Sequence, residues 1–151
     1  MSKSKVIGAL NKAIALEHAA TLQYQQQSML VRGLWRRVFS DFFAGHSSEA
    51  ISHARRFGQK VVALGGIPTV EVGPVHQSTE VEEMLGHALD LEEKALAAYH
   101  KAYEAAKGDV ALCNMLEDQI EAEQADVEEL QLQLDLVKSG SVDKVVNLRR
   151  S

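Results

Sequence analysis

Apolar residues recur at steps of three and four along four long stretches of this chain, and each stripe carries a carboxylate near its middle. The first runs Val6, Leu10, Ala13, Glu17, Ala20, Tyr24, and the second Phe39, Phe42, His46, Glu49, His53, Phe57. The third reads Val81, Leu85, Ala88, Glu92, Ala95, Tyr99, and the fourth Leu112, Leu116, Ile120, Glu123, Val127, Leu130. That period belongs to an amphipathic helix packing one face on a core, so the chain is predicted to be all-α. A buried carboxylate without a partner costs several kcal/mol or shifts its pKa until it is neutral. Several of them facing one interior are best explained by a cation between them.

Helix-stopping residues mark the element ends. The first helix is expected over about 3–32, up to Gly33, and the second up to Gly65-Gly66, with Pro68 beyond. Residues 67–78 hold both prolines and show no helical period, so they read as an extended connection. Ser78 or Thr79 is expected to cap the third helix, with Glu82 closing a capping box on Thr79. Lys107-Gly108-Asp109 turns the chain into a fourth helix reaching about Ser139-Gly140. The tail 140–151 includes an amphipathic stretch, 142–148, fit for a fifth helical turn or two. Two short turns and one long middle link predict two antiparallel hairpins joined by a crossover, with the second and third helices parallel.

Length and composition fit one domain over 1–151, with 46% hydrophobic and 25% charged residues. No apolar run of about 18 residues indicates a membrane span, and no leader pattern opens the chain, so a cytoplasmic protein is expected. The lone Cys113 excludes an internal disulfide framework, a thiolate iron site and a zinc ribbon. The net charge of −5 is uneven: residues 1–60 carry nine Lys or Arg against three Asp or Glu, and the remainder seven against eighteen. An acidic half suits attraction of cations. Arg36, Arg37, Arg55 and Arg56 read as solvated helix-face residues, so nucleic acid is not an expected partner.

The candidate chemistry lies on the stripes. Glu49 and His53 are four residues apart, and Glu123 and Asp126 three apart, so each pair shares a helix face. With Glu17 and Glu92 they make an oxygen-rich set with one imidazole, which suits Fe or Mn better than structural Zn. Tyr24 is placed to hydrogen-bond a carboxylate of the set or to pass an electron. His46, on the same stripe as His53, reads as an end-of-bundle histidine. His18, His76, His87 and His100 read as surface residues, and Trp35, Phe39, Phe42 and Phe43 as packing near the first turn, with a dimer contact as a further role.

The chain resembles the bacterioferritin branch of the ferritin-like family over nearly its whole length. The resemblance is carried by Glu17 with Tyr24 seven residues on and by His53-Ala54 leading to Leu64-Gly65-Gly66-Ile67-Pro68. Val81-Glu82-Glu83-Met84-Leu85 with Leu91-Glu92, and Leu134-Asp135-Leu136-Val137, extend it. It implies a left-handed ferritin-like four-helix bundle, a di-iron centre that oxidises Fe(II) with O2 or peroxide, and homodimers that assemble into an iron-storing cage. Glu17, His53, Glu92 and Glu123 match the family's ligands. Two positions depart: Ala50 stands where the family has a bridging Glu, and Asp126 where it has a second His. Ile51 replaces the axial Met for haem, so no haem is expected. The scheme implied is Glu17, His53 and Glu123 around one metal and Glu92, Asp126 and Glu123 around the other, with Glu49 able to swing toward the gap at Ala50. Two other readings stand beside the ferroxidase: a di-metal oxidase or oxygenase acting on an organic substrate, and a non-catalytic subunit whose centre has decayed.

Overall fold

The structure, a computed structural model, describes residues 1–140. The tail expected to add a fifth helix at 142–148 lies outside the described residues. Four helices, α1 (Lys3–Leu30), α2 (Leu34–Ala63), α3 (Val81–Ala105) and α4 (Val110–Lys138), form the bundle, and no strand occurs among the described residues. None of these helices is long and apolar enough to cross a membrane.

Local chemistry sets the helix ends. The Ser2 hydroxyl accepts the Lys5 amide at the start of α1, and Asp109 Oδ1 accepts the Leu112 amide at 3.0 Å at the start of α4. At the other end of α1, Arg36 Nη1 donates to the Met29 and Val31 carbonyls, each at 2.9 Å. Arg36 therefore satisfies helix-end carbonyls, a role the solvated reading did not include. Gly33, at φ 68° and ψ −150°, occupies backbone space open essentially to glycine and reverses the chain into α2. The capping box expected for α3 does not form. Its N-cap is Glu80, and Ser78 Oγ instead accepts the Glu80 amide and donates to Glu83, a local turn that competes with the cap.

The long link runs along α1, tied down at successive levels. Asn11 bonds Ile67 and Thr69, the Gly73 amide donates to the Ala15 carbonyl, His18 bonds the Glu71 carbonyl, and Gln23 accepts the His76 amide. From Asn11 to Gln26, which donates to Gln77 of the link, α1 rises about 22 Å, whereas ten helical residues would cover only about 15 Å. An extended, proline-containing segment is what makes that span. The link delivers α3 to the far end of α1, where Gln27 Nε2 donates to the Met84 carbonyl at 3.0 Å. Consequently α2 and α3 run parallel, the crossover expected from the turn lengths.

Two apolar cores fill the bundle, one toward each end. Tyr24, Phe39, Phe43, Met84, Leu85, Leu130 and their neighbours form one; Val6, Leu10, Phe57, Val61, Tyr99, Leu112, Leu116 and theirs form the other. Between them the interior is polar. Glu17 lies between Ile14 and Ala20, Glu92 between Ala88 and Ala95, and Glu123 between Leu116 and Leu130. The helices present one belt of acid to a core that is otherwise apolar.

Candidate metal centre

Glu17, Glu92 and Glu123 are buried, at 2%, 6% and 1% exposure, so the stripes on α1, α3 and α4 are correct in register. The stripe on α2 is shifted. Its buried residues are Phe39, Phe43, Ala50, Ala54, Phe57 and Val61, while Glu49 is exposed and Phe42, His46 and His53 lie on the flank. One residue is a rotation of about 100°, which turns Glu49 out of the core and puts Ala50 in its place. The belt therefore has three buried carboxylates, with His53 closing it from α2.

Glu17, His53 and Glu123 each offer a donor atom within 4.8 Å of those of the other two. Glu17 Oε2 lies 3.6 Å from His53 Nδ1. Each of the three also has a buried polar atom without a hydrogen-bond partner: Glu17 Oε1, His53 Nδ1 and Glu123 Oε1. Native interiors pair nearly all such groups, so three orphans together mark a place where something else supplies the partner. Donors bound to one ion at about 2.1 Å lie at most about 4.2 Å apart, and small side-chain rotations bring this set within that range. A cation fits these residues.

Electrostatics agree. Burial pushes the Glu17 carboxyl from an ordinary 4.5 up to about 7; the neighbouring His53 imidazole opposes this and the charge of Glu92 reinforces it. Burial works to lower His53, but the neighbouring Glu17 carboxylate outweighs it and the imidazole is raised. Glu123 is raised strongly, first by burial and then by the neighbouring Glu92 carboxylate, so its carboxyl holds a proton where a cation would otherwise neutralise the charge. Burial also lifts Asp126 to about 6, with His46 opposing and Glu49 and Glu92 reinforcing.

Tyr24 is fully buried and donates to Glu92 Oε1 at 2.7 Å. It thus touches a carboxylate of the belt, as its spacing from Glu17 suggested, and burial with the charge of Glu92 keeps its hydroxyl protonated. Asp126 falls in a second group: His46, Glu49 and Asp126 offer donors within 4.8 Å of one another. His46 is therefore a member of the charged layer as well as of the aromatic packing. The aromatic side chains do pack, Phe39 against Trp35, Phe42 and Phe43 at centroid distances of 5.7–5.9 Å. His18 and His87 are half-buried under the link and not at the surface, His18 through its bond to Glu71 and His87 beside His76. Gln23, Gln27 and Gln119 are buried polar residues that the stripes gave no reason to single out.

A depression of about 580 Å³ opens beside the belt between α2 and α4, lined by Ser48, Glu49, His53, Arg56, Asp118 and Gln119. It brings solvent to the His53 edge of the centre.

A family of ferritin-like domains matches residues 7–139. The chain is 30% identical over 126 residues to a bacterioferritin of Desulfovibrio desulfuricans, spanning 82% of this chain and 70% of that protein. Among solved structures, it superimposes with a TM-score of 0.85 on a ferritin-like, diiron-carboxylate protein from Bacillus anthracis. That pair is 33% identical, and the match covers 89% of this chain and 99% of the other. With its crossover, its acidic belt and these relatives, the chain belongs to the ferritin-like family, on the bacterioferritin branch.

Proposed function

We propose that this protein takes up Fe(II) as its substrate within the bundle and oxidises it, with O2 or peroxide accepting the electrons, in the service of iron storage or detoxification. The observation that carries this reading is the group of three unpartnered donors on Glu17, His53 and Glu123. Their carboxylates are hard anionic ligands, which favour Fe(III) over Fe(II) and so make the bound ion easier to oxidise. Binding requires these acids to give up protons, and the depression beside His53 gives both protons and hydrated cations a route. Asp126, Glu92 and Glu49 are the remaining ligands available for a second ion, and Tyr24 holds Glu92 in place. Ile51 carries no donor atom for haem.

The charged groups at that depression, Glu49, Arg56 and Asp118, suit an ion better than a neutral organic substrate. Homo-oligomerisation is part of the same reading. Val70 is 91% and Ile67 85% exposed on the link, with Met29 63% exposed on α1, apolar surface that a second copy would cover.

The test is the rate at which Fe(II) disappears when oxygenated buffer is mixed with the protein. Wild type is expected to oxidise iron well above the buffer rate, and Glu123→Ala to fall back to it. Wild type no faster than buffer would overturn the proposal.

A further inference from the structure

We propose that the chain holds its second metal ion outside the buried bridging position, at a site built by His46 and Glu49 of α2 with Asp126 of α4. This rests on the iron-binding reading and replaces the Glu92–Asp126–Glu123 set that the family resemblance implies.

The starting point is Ala50. At 3% exposure it fills the buried α2 position nearest the belt, and its methyl group offers a cation nothing. Without a carboxylate there, no α2 ligand draws a second ion to the bundle axis. Glu92 is already engaged, accepting the Tyr24 hydroxyl at 2.7 Å. It belongs to neither of the two close donor groups among the described residues.

The flank provides what the axis lacks. His46 Nδ1 lies 3.6 Å from Glu49 Oε2, one helical turn apart on the same face, and Asp126 approaches both from α4. The His46 ring is held by neighbours: it stacks on Tyr24 at 5.1 Å and 26° and meets Phe42 edge-on at 4.6 Å. A ring fixed by packing presents its donor without further ordering cost. Glu123, one turn before Asp126 and 1% exposed, has Oε1 without a partner, so the anionic layer between the two groups is itself unsatisfied. Glu49 also lines the depression open to solvent, so an ion reaches this group without any opening of the bundle.

The two groups have the same composition, one imidazole and two carboxylates, which gives each a formal −2 to meet a divalent cation. His46 precedes His53 by two helical turns, and Asp126 follows Glu123 by one. Along the helices those steps are about 10 Å and about 4.5 Å, so the two ions stand farther apart than the roughly 3.5–4 Å of a carboxylate-bridged pair. The chain would have exchanged a bridged pair for two neighbouring single-ion sites.

Co(II) titration of the full chain, followed by proton NMR of the hyperfine-shifted imidazole N–H signals, tests this. Wild type should bind two ions and show two such signals. His53→Ala should remove one signal, and His46→Ala the other, together with one ion. Because His46→Ala disturbs aromatic packing, Glu49→Gln at an exposed position is the companion variant, and it should weaken the second ion about tenfold or more while sparing the first. Two ions retained by His46→Ala, with a single signal that depends only on His53, would overturn the proposal and return the second ion to the axial set. No Co(II) bound by wild type would instead bring down the metal-binding reading as a whole.

Discussion

Raising the pH of the metal-free protein should destabilise it, because Glu17 and Glu123 are buried with raised pKa values. Glu17 is held at about 7 in the folded chain against an ordinary 4.5. A carboxyl whose folded pKa is raised binds its proton more tightly in the native state. Its contribution is complete below the unfolded value and is lost as pH rises through the folded one. From about pH 4.5 to about pH 8 the loss from Glu17 alone corresponds to about 3 kcal/mol. Glu123 and His53 are raised as well and act in the same direction, while Asp126 is half-exposed and adds less. Urea unfolding of chelator-treated protein at a series of pH values measures this, with Glu17→Gln as the control whose slope should flatten by about that amount. Saturating divalent metal should reverse the trend, since binding displaces the protons and stabilises only the folded state. Metal-free stability that is flat or increases up to pH 8, or a Glu17→Gln slope equal to wild type, would mean that Glu17 does not fold with a raised pKa.

Glu123→Leu should stabilise the metal-free chain by about 1–4 kcal/mol at pH 8, because a buried ionisable group gives way to an apolar one, while lowering metal binding; thermal melts with and without metal separate the two effects. Tyr24→Phe removes the 2.7 Å bond to the buried Glu92 and should cost about 1–3 kcal/mol in urea unfolding. Gly66→Ala would put its Cβ 2.9 Å from two Ile7 methyl carbons where the link leaves α2, and should cost about 1–3 kcal/mol.

Most of the architecture was legible because turns and long apolar stripes are local signals. Gly33, Gly65-Gly66, Lys107-Gly108-Asp109 and the two prolines of the link marked the elements, and the buried acids at Glu17, Glu92 and Glu123 stood out against apolar neighbours. The α2 register did not. Phe39 and Phe57 belong to two stripes that differ by one residue between them, and the true one runs through Ala50 and Ala54, whose small side chains carry little hydrophobic signal. The competing stripe through Phe42, His46 and His53 looked stronger because half-buried aromatic and imidazole rings resemble core residues. The His46–Glu49–Asp126 group was visible only in part. The spacing of His46 and Glu49 is local, but the approach of Asp126 depends on how α4 sets against α2. Ser78 illustrates the same limit at short range, since its hydroxyl had two nearby turn partners and the cap lost to them.

The deciding measurement is iron per chain after anaerobic loading with Fe(II) and desalting, read by plasma mass spectrometry beside Glu123→Ala. Wild type should hold about two ions, and the variant should lose the ion held by Glu17, His53 and Glu123. Near zero in wild type, or the same content in both proteins, would contradict the iron-binding reading.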